Sequence, residues 1–389
     1  MYGNINPAGA QTFKERCKQA SRAVAAGYDG GGESWLLAAY PEVSSNPFLE
    51  MLYSACIENG FGCVRMKKPG QAAKLPRKAR ALIHIHWINR VFGNSDDLAS
   101  MTASEAKQKV DNFLDILGRG KDAGRPIVWT VHNILSHAAA FPEEELELRA
   151  SLAGLVDHIH IMNPDTAALC APYYALPAGK IFAVPHPSYQ GIYADTISQS
   201  DARVALGLSP KDKVFLIFGR LGAYKGIRQF IGQLDRLQRR VGGTAKLVIA
   251  GSSAEPKAEQ ELRTIVGGRQ DVVFDATYVD DQHVQRYFRA ADVVVCGQRA
   301  ALNSGVAHTA ISFGCPVVLC KNLAPTAGGA DAVVFPFEPG NSETMVDASV
   351  AALDAVNDAD RQAVFGAWAT AHAPEMMSNR FFTALRSRL

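Results

Sequence analysis

The chain has 389 residues, of which 48% are hydrophobic, and it carries 40 basic against 38 acidic side chains. This composition indicates a globular protein with a core large enough for two domains. The first residues are polar and charged, and no run of eighteen apolar residues occurs. A signal peptide and a membrane-spanning helix are therefore not expected, and a cytoplasmic location is predicted.

The cysteines do not suggest a structural framework. None of the seven belongs to a CxxC pair, and Cys296, Cys315 and Cys320 lie in apolar runs. A thiol in such a run behaves as a small core side chain, so disulfides and a zinc site are not expected.

Short β-branched runs alternate with segments of helical period, which is typical of a parallel sheet covered by helices. The first half predicts strands at 34–41, 81–88, 126–133, 158–163 and 180–186, with helices after Asn46 and from Ser104 to Leu117. The second half predicts strands at 213–220, 245–252, 271–278, 292–297, 316–321 and 332–337. The expected fold class is α/β, with two Rossmann-like doubly wound parallel-sheet domains facing a central cleft.

The predicted domains follow from this repeated pattern. Residues 1–33 form a Gly-rich extension that we expect to be loosely attached, and residues 34–195 form the first domain. A polar linker is predicted near 194–201, before a second domain at 202–389. The last helices are expected to return partly to the first domain.

A basic stretch runs from Arg65 to Arg80, within a segment from Asn59 to Ser95 that has no acidic residue. Such a stretch predicts peripheral contact with an anionic inner membrane leaflet, where each cation contributes about 1 kcal/mol. A solvated loop is the alternative interpretation. Because no aromatic platform accompanies the charges, nucleic acid is not an expected partner.

Ligands of open α/β sheets bind beyond the carboxyl ends of the strands. After the first strand of the second half, the run FGRLGAYKG supplies Gly219, Arg220, Gly222, Lys225 and Gly226. A guanidinium and an ammonium beside a helix N-terminus can stabilise the charge of a leaving diphosphate. The alternative is a tight turn with solvated cations.

A second loop places Asn303, Ser304 and Gly305 directly before a short helix. Amides at a helix start can also face an anion. Simple N-capping by Asn303 or Ser304 is the other interpretation, and it is compatible with ligand binding.

Several segments together resemble a known family. FGRLGAYKG, LVIAG, YVDDQHVQRYFRAADVVV and SGVAHTAISFGCPVVL, in this order, resemble the donor-binding half of GT-B glycosyltransferases, in particular bacterial exopolysaccharide enzymes near family GT4. HIHWINRVFG, PIVWTVHNILSHAAAF and VPHPSYQGIY are similar to the acceptor domain of the same enzymes. The resemblance extends from about Trp35 onward.

The resemblance implies roles for individual residues. Arg220 and Lys225 would bind the donor diphosphate, and Ser304 and Gly305 would contact phosphate or sugar. Tyr278 or Val279 would lie near the nucleotide base. The resemblance also implies a nucleotide sugar as donor substrate, a glycan or lipid-linked acceptor, and neither a bound metal nor another cofactor.

One feature departs from the family pattern. Many GT4 enzymes carry a Glu-x7-Glu pattern in the loop before the GCPVV-like strand, but this chain has Ala301 and Thr309 at the aligned positions. The departure puts retention of the anomeric configuration in doubt. The Ser-Gly form of the loop resembles that of a subgroup of polysaccharide β-mannosyltransferases.

Candidate catalytic residues follow strands of the first half. His132 ends a predicted strand and is a candidate base or donor contact, and Glu42 is positioned to deprotonate an acceptor hydroxyl. Either side chain can instead satisfy a loop or cap a turn. His186 and Tyr189 are candidates for an acceptor or interdomain contact.

Two pairs of histidines, His84 with His86 and His158 with His160, each share one face of a strand. A zinc site would need a third ligand, which the sequence does not indicate. We expect one member of each pair to be satisfied by hydrogen bonds and the other to lie near the sheet edge.

The predicted function is transfer of a hexose from a UDP- or GDP-sugar to a glycan or a polyprenyl-diphosphate-linked oligosaccharide in exopolysaccharide synthesis. A GT-B epimerase or phosphorylase is an alternative within enzymology. A catalytically silent sugar-nucleotide-binding protein is a third interpretation, because the two glutamates are missing.

Overall fold

The computed structural model describes residues 11–43, 46–93, 95–136, 139–242, 244–253, 256–298, 301–323, 328–355 and 359–389. The chain divides into two compact units. Unit 1 consists of Met1–Pro187 with Pro374–Leu389, and unit 2 consists of Ser188–Ala373. None of the described helices is long and apolar enough to cross a membrane.

Unit 1 is built on a six-stranded parallel sheet with the order β2-β1-β3-β4-β5-β6. Its strands are β1 (Trp35–Tyr40), β2 (Phe61–Arg65), β3 (Ala81–Ile85), β4 (Ile127–Thr130), β5 (His158–Ile161) and β6 (Ile181–Ala183). Its α-helices up to the unit boundary are α1 (Phe13–Gly27), α2 (Phe48–Leu52), α3 (Ser95–Ser100), α4 (Ala103–Asp122), α5 (Pro142–Leu155) and α6 (Thr166–Cys170). Short 3₁₀ helices cover Pro69–Lys74, Ile88–Val91 and Ala178–Lys180.

Unit 2 contains a second six-stranded parallel sheet with the order β12-β11-β10-β7-β8-β9. Its strands are β7 (Lys213–Phe218), β8 (Ala245–Ala250), β9 (Val272–Asp275), β10 (Val293–Cys296), β11 (Val317–Cys320) and β12 (Val334–Phe337). Its α-helices are α7 (Gln199–Ala205), α8 (Ile227–Ile231), α9 (Leu234–Val241), α10 (Pro256–Val266), α11 (Val284–Ala290), α12 (Gly305–Ser312), α13 (Ser342–Asp354) and α14 (Ala359–Ala371). The last helix of the chain, α15 (Pro374–Arg386), belongs to unit 1.

The α/β class with two parallel sheets is confirmed, and every predicted strand coincides with an observed one. The observed strands are shorter because the apolar runs continue past the last ladder pair into the loops at the carboxyl ends. The sequence missed β2, because FGCVR contains a glycine and leads directly into the basic stretch. Its pairing with β1 therefore needed the tertiary structure.

The expectation of a loosely attached N-terminal extension is wrong for α1. Thr12 and Glu15 form a capping box at its start, which contributes about 1 kcal/mol. Phe13, Cys17, Ala20 and Val24 are buried. A Cβ on Gly62 of β2 would lie 2.5 Å from the carbonyl oxygen of Ala20, so the helix backbone contacts the strand directly.

Two sets of hydrogen bonds explain where the units divide. Ser188 donates its amide to the carbonyl of His372 (2.7 Å) and its hydroxyl to that of Ala369 (2.9 Å), within unit 2. In unit 1, the Ser378 hydroxyl on α15 donates to the carbonyl of Leu52 (2.8 Å) and accepts from the amide of Ala55 (2.9 Å). The division at 187/188 therefore lies earlier in the chain than the predicted linker at 194–201.

The strand order identifies a switch point in each sheet. In unit 2 the chain proceeds from β7 to β8 and β9 on one side, then returns to β10 on the other side of β7. In unit 1 the corresponding position lies between β1 and β3. In open α/β sheets, ligands bind beyond the carboxyl ends of the strands at such a switch point.

Candidate functional site

Glycines bring three loops of unit 2 into backbone contact at the carboxyl ends of the strands. A Cβ on Gly297, which follows β10, would lie 2.5 Å from the carbonyl oxygen of Lys225. A Cβ on Gly226 would lie 2.9 Å from the carbonyl oxygen of Gly297, and one on Gly251 would clash with the carbonyl of Gly219. The loops after β7, β8 and β10 are thus close enough to form one site.

Lys225 lies at the centre of this edge and is only 4% exposed. Its Nζ donates a hydrogen bond to the carbonyl of Phe218 (2.6 Å), and it lies 5.7 Å from the ring centre of Tyr224. Burial lowers the pKa of the Lys225 ammonium below its usual value. A buried cation that lacks a paired carboxylate among the described residues is costly, and an anionic ligand would offset that cost.

Gly219 separates Lys225 from the start of α12. A Cβ at this position would lie 3.3 Å from Lys225 Nζ and 3.5 Å from Val306 Cγ2. The φ angle of Gly219 is 95°, which side chains rarely adopt. The bare backbone at Gly219 therefore keeps the ammonium and the first turn of α12 close to one point.

The loop before α12 behaves as an N-cap, as one of the two interpretations predicted. The Ser304 hydroxyl accepts from the amide of Ala307 (3.4 Å) and contacts Cys296 Sγ (3.7 Å). Ser304 caps the amide of Ala307, whereas Gly305 and Val306 come before Ala307 in the first turn of α12. Such first-turn amides have no partner within a helix and can face an anion. Asn303 is half-buried in the same loop.

Two stacked tyrosines lie beside this helix start. The rings of Tyr189 and Tyr193 are 5.4 Å apart and almost parallel. Tyr189 donates its amide to the Ser312 hydroxyl (2.9 Å), and a Cβ on Gly305 would lie 2.8 Å from its Oη. A side chain at position 305 would therefore have to displace the Tyr189 hydroxyl, which lies beside the start of α12.

The other residues that were predicted to bind the nucleotide-sugar donor also lie in unit 2. Arg220 is exposed, and its guanidinium makes no ion pair with any residue that the structure describes. A Cβ on Gly222 would lie 3.1 Å from the Tyr224 ring. Tyr278 is 63% exposed in the loop after β9, at the sheet edge, whereas Val279 packs against the core.

Sequence reasoning missed several residues of this edge. Gly251 and Gly297 make backbone contacts, and each follows a strand, a signal that the sequence already contained. Gln298 is also buried here, and its Oε1 has no hydrogen-bond partner among the described residues. An unsatisfied buried acceptor beside Gly297 is an additional candidate ligand contact.

The positions of the missing glutamates hold side chains with structural contacts. Ala301 is buried, and the Thr309 hydroxyl donates to the carbonyl of Gly305 (2.8 Å) within α12. Neither side chain can supply a carboxylate.

In unit 1 the predicted residue His132 lies at the end of a buried chain of hydrogen bonds. Its Nε2 lies 3.1 Å from His86 Nδ1. The Tyr53 hydroxyl bridges His86 Nε2 and His84 Nδ1, each at 2.7 Å. Four side chains are therefore connected in sequence.

The same chain continues across the sheet to β6. His84 Nε2 lies 2.7 Å from the Thr130 hydroxyl, which lies 3.0 Å from His160 Nδ1. His160 Nε2 lies 3.1 Å from the carbonyl oxygen of Val184. Both His84 and His86 are buried, so the expectation that one of this pair lies near the sheet edge is wrong: β3 is an inner strand.

Burial disfavours the charged form of these imidazoles. It lowers the pKa of His160 to about 4 and holds the pKa values of His84, His86 and His132 well below the usual range. Neighbouring histidines add to the effect in each case, and Arg149 adds to it at His132. The cluster is therefore neutral at pH 7.

An aromatic pocket surrounds His132. The Trp87 ring stacks on the imidazole at 4.5 Å, and the Phe48 ring approaches edge-on at 5.0 Å. His186 contacts the same Phe48 ring at 5.0 Å and donates from Nδ1 to the carbonyl of Pro187 (2.7 Å). His132 and His186 thus share one environment in unit 1, whereas Tyr189 belongs to unit 2.

Glu42 follows β1, and its carboxylate contacts the N-terminal helix. Arg16 Nη1 of α1 lies 3.3 Å from Glu42 Oε2, and the Glu42 amide donates to the carbonyl of Met66 (2.8 Å). These contacts favour the structural interpretation of Glu42.

The basic stretch is partly folded onto unit 1. Leu75 is buried, Arg65 pairs with Glu50 (2.8 Å) and Arg80 pairs with Glu33. The cations that remain exposed and project from this surface are Lys67, Lys68, Lys74, Arg77 and Lys78. Among the described residues, no group of three or more His, Cys, Asp or Glu side chains is arranged to hold a metal ion.

Residues 212–355 match the model of a family described as glycosyl transferases group 1. No curated protein matches the chain in sequence. The matched segment contains both the Gly219–Lys225 loop and the loop before α12, and it lies within unit 2.

Several solved structures share the fold over most of the chain. HepE from Anabaena, in complex with UDP and glucose, has a TM-score of 0.62 and 16% identity, covering 91% of this chain and 100% of that one. Sucrose-phosphate synthase from Thermosynechococcus elongatus has a TM-score of 0.63 and 13% identity, covering 91% and 99%. The α,α-trehalose 6-phosphate synthase from Burkholderia multivorans has a TM-score of 0.60 and 11% identity, covering 91% and 96%. The expected GT-B fold is thereby confirmed.

Proposed function

We propose that this chain, whose residues 212–355 match the model of the group 1 glycosyl transferases, transfers a hexose from a nucleotide diphosphate sugar to a hydroxyl of a glycan. Unit 2 binds the donor, and unit 1 binds the acceptor. The protein's own cations stabilise the leaving diphosphate, so the proposed reaction needs no bound metal ion.

The buried ammonium of Lys225 is the observation that carries this proposal. It lies at the switch point of the unit 2 sheet, beside Gly219 and the first turn of α12. A developing diphosphate charge gains most from donors that are already fixed in a site of low dielectric. Arg220, exposed beside this point, adds a fork of N–H donors that suits phosphate oxygens.

His132 is the proposed base for the acceptor hydroxyl in unit 1. Its side chain is half-buried and held between aromatic rings. It is also neutral at pH 7, and a general base must be unprotonated to accept a proton. Glu42 is a weaker candidate because its carboxylate already pairs with Arg16. His186 and Tyr189 remain proposed substrate contacts of units 1 and 2, respectively.

The finer substrate assignment is also part of the proposal. HepE was solved with UDP and glucose and with UDP-glucose, which supports UDP-sugars as the first donors to examine, before GDP-sugars. We propose a polyprenyl-diphosphate-linked oligosaccharide of exopolysaccharide synthesis as acceptor. The exposed lysines and arginine between Arg65 and Arg80 would then bring the protein to an anionic membrane surface.

A silent sugar-nucleotide-binding protein is the second candidate, and one observation favours it. Ala301 and Thr309 occupy positions where the related enzymes carry glutamates. Such a protein would bind the nucleotide and leave the sugar bond intact.

Nucleotide binding and sugar transfer are measured separately to test the proposal. Thermal shifts with UDP, GDP and their sugars identify the donor, since a ligand at 100 times its Kd stabilises by roughly 2.7 kcal/mol. Release of nucleoside diphosphate is then followed with and without glycan acceptor. Binding with acceptor-dependent release supports the transferase. Conversion of the nucleotide sugar to its epimer favours an epimerase, and formation of a sugar phosphate when phosphate is added favours a phosphorylase. Binding that leaves the nucleotide sugar unchanged under all these conditions favours the silent protein.

A lysine pair provides the matched control. Lys225→Met should abolish nucleotide binding with the fold retained, and Lys211→Met, which removes an exposed lysine of the same unit, should leave binding unchanged. If Lys225→Met binds the nucleotide as tightly as the unmodified protein does, the donor site is not where we propose.

A further inference from the structure

We propose that the hydrogen-bond chain from Val184 to His132 fixes the tautomer of His132, with the proton on Nε2 and with Nδ1 as the basic nitrogen. Tyr53 and Thr130 are then positioning residues for the proposed base. The tautomer follows from the contacts in unit 1 alone, whereas its use in catalysis depends on the proposed function.

The direction of the chain is set at its inner end. A carbonyl oxygen only accepts hydrogen bonds, so His160 Nε2, 3.1 Å from the Val184 oxygen, must carry the proton. In a neutral imidazole the other nitrogen is then an acceptor. The Thr130 hydroxyl, 3.0 Å away, therefore donates to His160 Nδ1.

Each further bond has only one allowed direction. Thr130 has a single hydroxyl proton, which His160 already receives, so its oxygen accepts from His84 Nε2 at 2.7 Å. His84 Nδ1 is then an acceptor, and the Tyr53 hydroxyl donates to it.

The outer half of the chain follows the same logic. The Tyr53 oxygen has given its proton to His84, so it accepts from His86 Nε2 at 2.7 Å. His86 Nδ1 is then an acceptor and receives the Nε2 proton of His132 at 3.1 Å. His132 Nδ1 is left unprotonated.

These bond directions require neutral imidazoles, and the surroundings of the four histidines favour the neutral form. Burial holds the pKa values of all four histidines below the usual range. Among the residues that the structure describes, the charged neighbours are Arg149 near His132 and Arg65 near His86, and both disfavour a further positive charge. His186 also faces His132.

His132 is also the member of the chain best placed to accept a proton. An extra proton on Nδ1 leaves its Nε2–H bond to His86 in place. An extra proton on Nδ1 of His86 would instead face the Nε2–H group of His132. An extra proton on Nδ1 of His84 would face the hydroxyl proton of Tyr53. His132 is half-buried, whereas His84, His86 and His160 are at most 1% exposed.

The acceptor O–H bond breaks and its proton binds to His132 Nδ1, while the acceptor oxygen forms a bond to the anomeric carbon. The bond between that carbon and the donor diphosphate breaks, and its electron pair leaves with the diphosphate. The imidazolium of His132 keeps its Nε2–H bond to His86 throughout.

Nitrogen NMR of the histidine side chains tests the tautomer directly in the full chain at pH 7.5, without substrate. A neutral imidazole shows distinct ¹⁵N shifts for its protonated and unprotonated nitrogens, and a His132→Gln spectrum assigns the signal. We expect the Nε2–H form in the unmodified protein. A proton on Nδ1 of His132 would overturn the proposal.

Substitutions within the hydrogen-bond chain show whether it sets the tautomer of His132. Tyr53→Phe removes two hydrogen bonds and should give a mixture of both tautomers of His132. Tyr40→Phe removes a buried hydroxyl outside the chain, 3.4 Å from the carbonyl of Arg90, and should leave the Nε2–H form intact. An unchanged tautomer in Tyr53→Phe would contradict the proposal.

A second pair of variants tests the same point if Tyr53→Phe does not fold. Thr130→Val removes the central hydroxyl and should produce the same mixture, while Thr130→Ser keeps the hydroxyl and should retain the Nε2–H form. Identical spectra for these two variants would also overturn the proposal.

Kinetics address the catalytic role. If the protein transfers sugar, kcat should fall about twofold or more in Tyr53→Phe with KM unchanged. The reason is that only one tautomer of His132 can accept the proton of the acceptor hydroxyl. Tyr40→Phe should keep the original kcat. Absence of transfer in the unmodified protein would refute the proposed function alone, since the NMR result does not depend on it.

Discussion

The carbonyl oxygen of Lys225 lies directly against Gly297, where a Cβ would approach it to 2.5 Å. The two residues follow β7 and β10, the strands on either side of the switch point in unit 2. This close approach brings the buried ammonium of Lys225 beside the loop that leads to α12.

Gly297→Ala should therefore disturb both stability and nucleotide binding. The added methyl group must displace backbone, which costs about 1–3 kcal/mol in the free energy of unfolding. Urea unfolding and nucleotide titration measure the two effects. Gly268→Ala is the control, because a Cβ there has open space, and a Gly297→Ala protein as stable as this control would refute the close contact.

Arg220→Ala should weaken binding of a nucleoside diphosphate roughly tenfold, because charge-assisted bonds to the phosphates are lost. Titration calorimetry at low and high salt measures the effect, which should shrink as salt rises. Arg239→Ala removes an exposed arginine on α9 and should bind as before. Equal affinities of the two variants would exclude Arg220 from the donor site.

Glu145→Ala should destabilise unit 1 by about 3–5 kcal/mol, because it leaves the Arg149 guanidinium buried without its carboxylate. Both side chains are at most 4% exposed, and Glu145 Oε1 also accepts from the amide and hydroxyl of Ser136 (2.9 Å each). Denaturant unfolding gives the loss. The exposed Glu143→Ala on the same helix should cost little, and a similar loss in both would contradict the assigned role of the pair.

The stability of unit 1 should fall as the pH drops from 7 to 5. Burial lowers the pKa of His160 from 6.5 to about 4, so between these values the unfolded chain binds more protons than the folded one. The pKa values of His84, His86 and His132 are lowered too. Each histidine lowers the free energy of unfolding by up to about 1.4 kcal/mol per pH unit, between its pKa in the unfolded chain and its pKa in the folded protein.

Tryptophan fluorescence can report this loss from unit 1 alone. Trp368 is the single tryptophan of unit 2, so Trp368→Phe restricts the signal to Trp35, Trp87 and Trp129. Urea unfolding of this variant at pH 7, 6 and 5 gives the slope. A free energy of unfolding that stays constant over this range would show that the histidines are not buried in the neutral form.

The sequence alone determined the two parallel sheets and the loops that carry the unit 2 candidates. Apolar runs and helical periods reflect burial over a few neighbouring residues, so they identified every strand except β2. Position after a strand likewise identified Gly219, Lys225 and Ser304, because ligand sites of open α/β sheets follow the strand ends.

Only the tertiary structure decided which side chains meet. Thr130 lies opposite His160 in the ladder of β4 and β5, and Tyr53, at the end of α2, reaches His84 and His86. Likewise, α15 packs on unit 1 although it ends the chain after unit 2. These contacts depend on strand register and on packing between distant segments, and a local pattern of polar and apolar residues does not encode either.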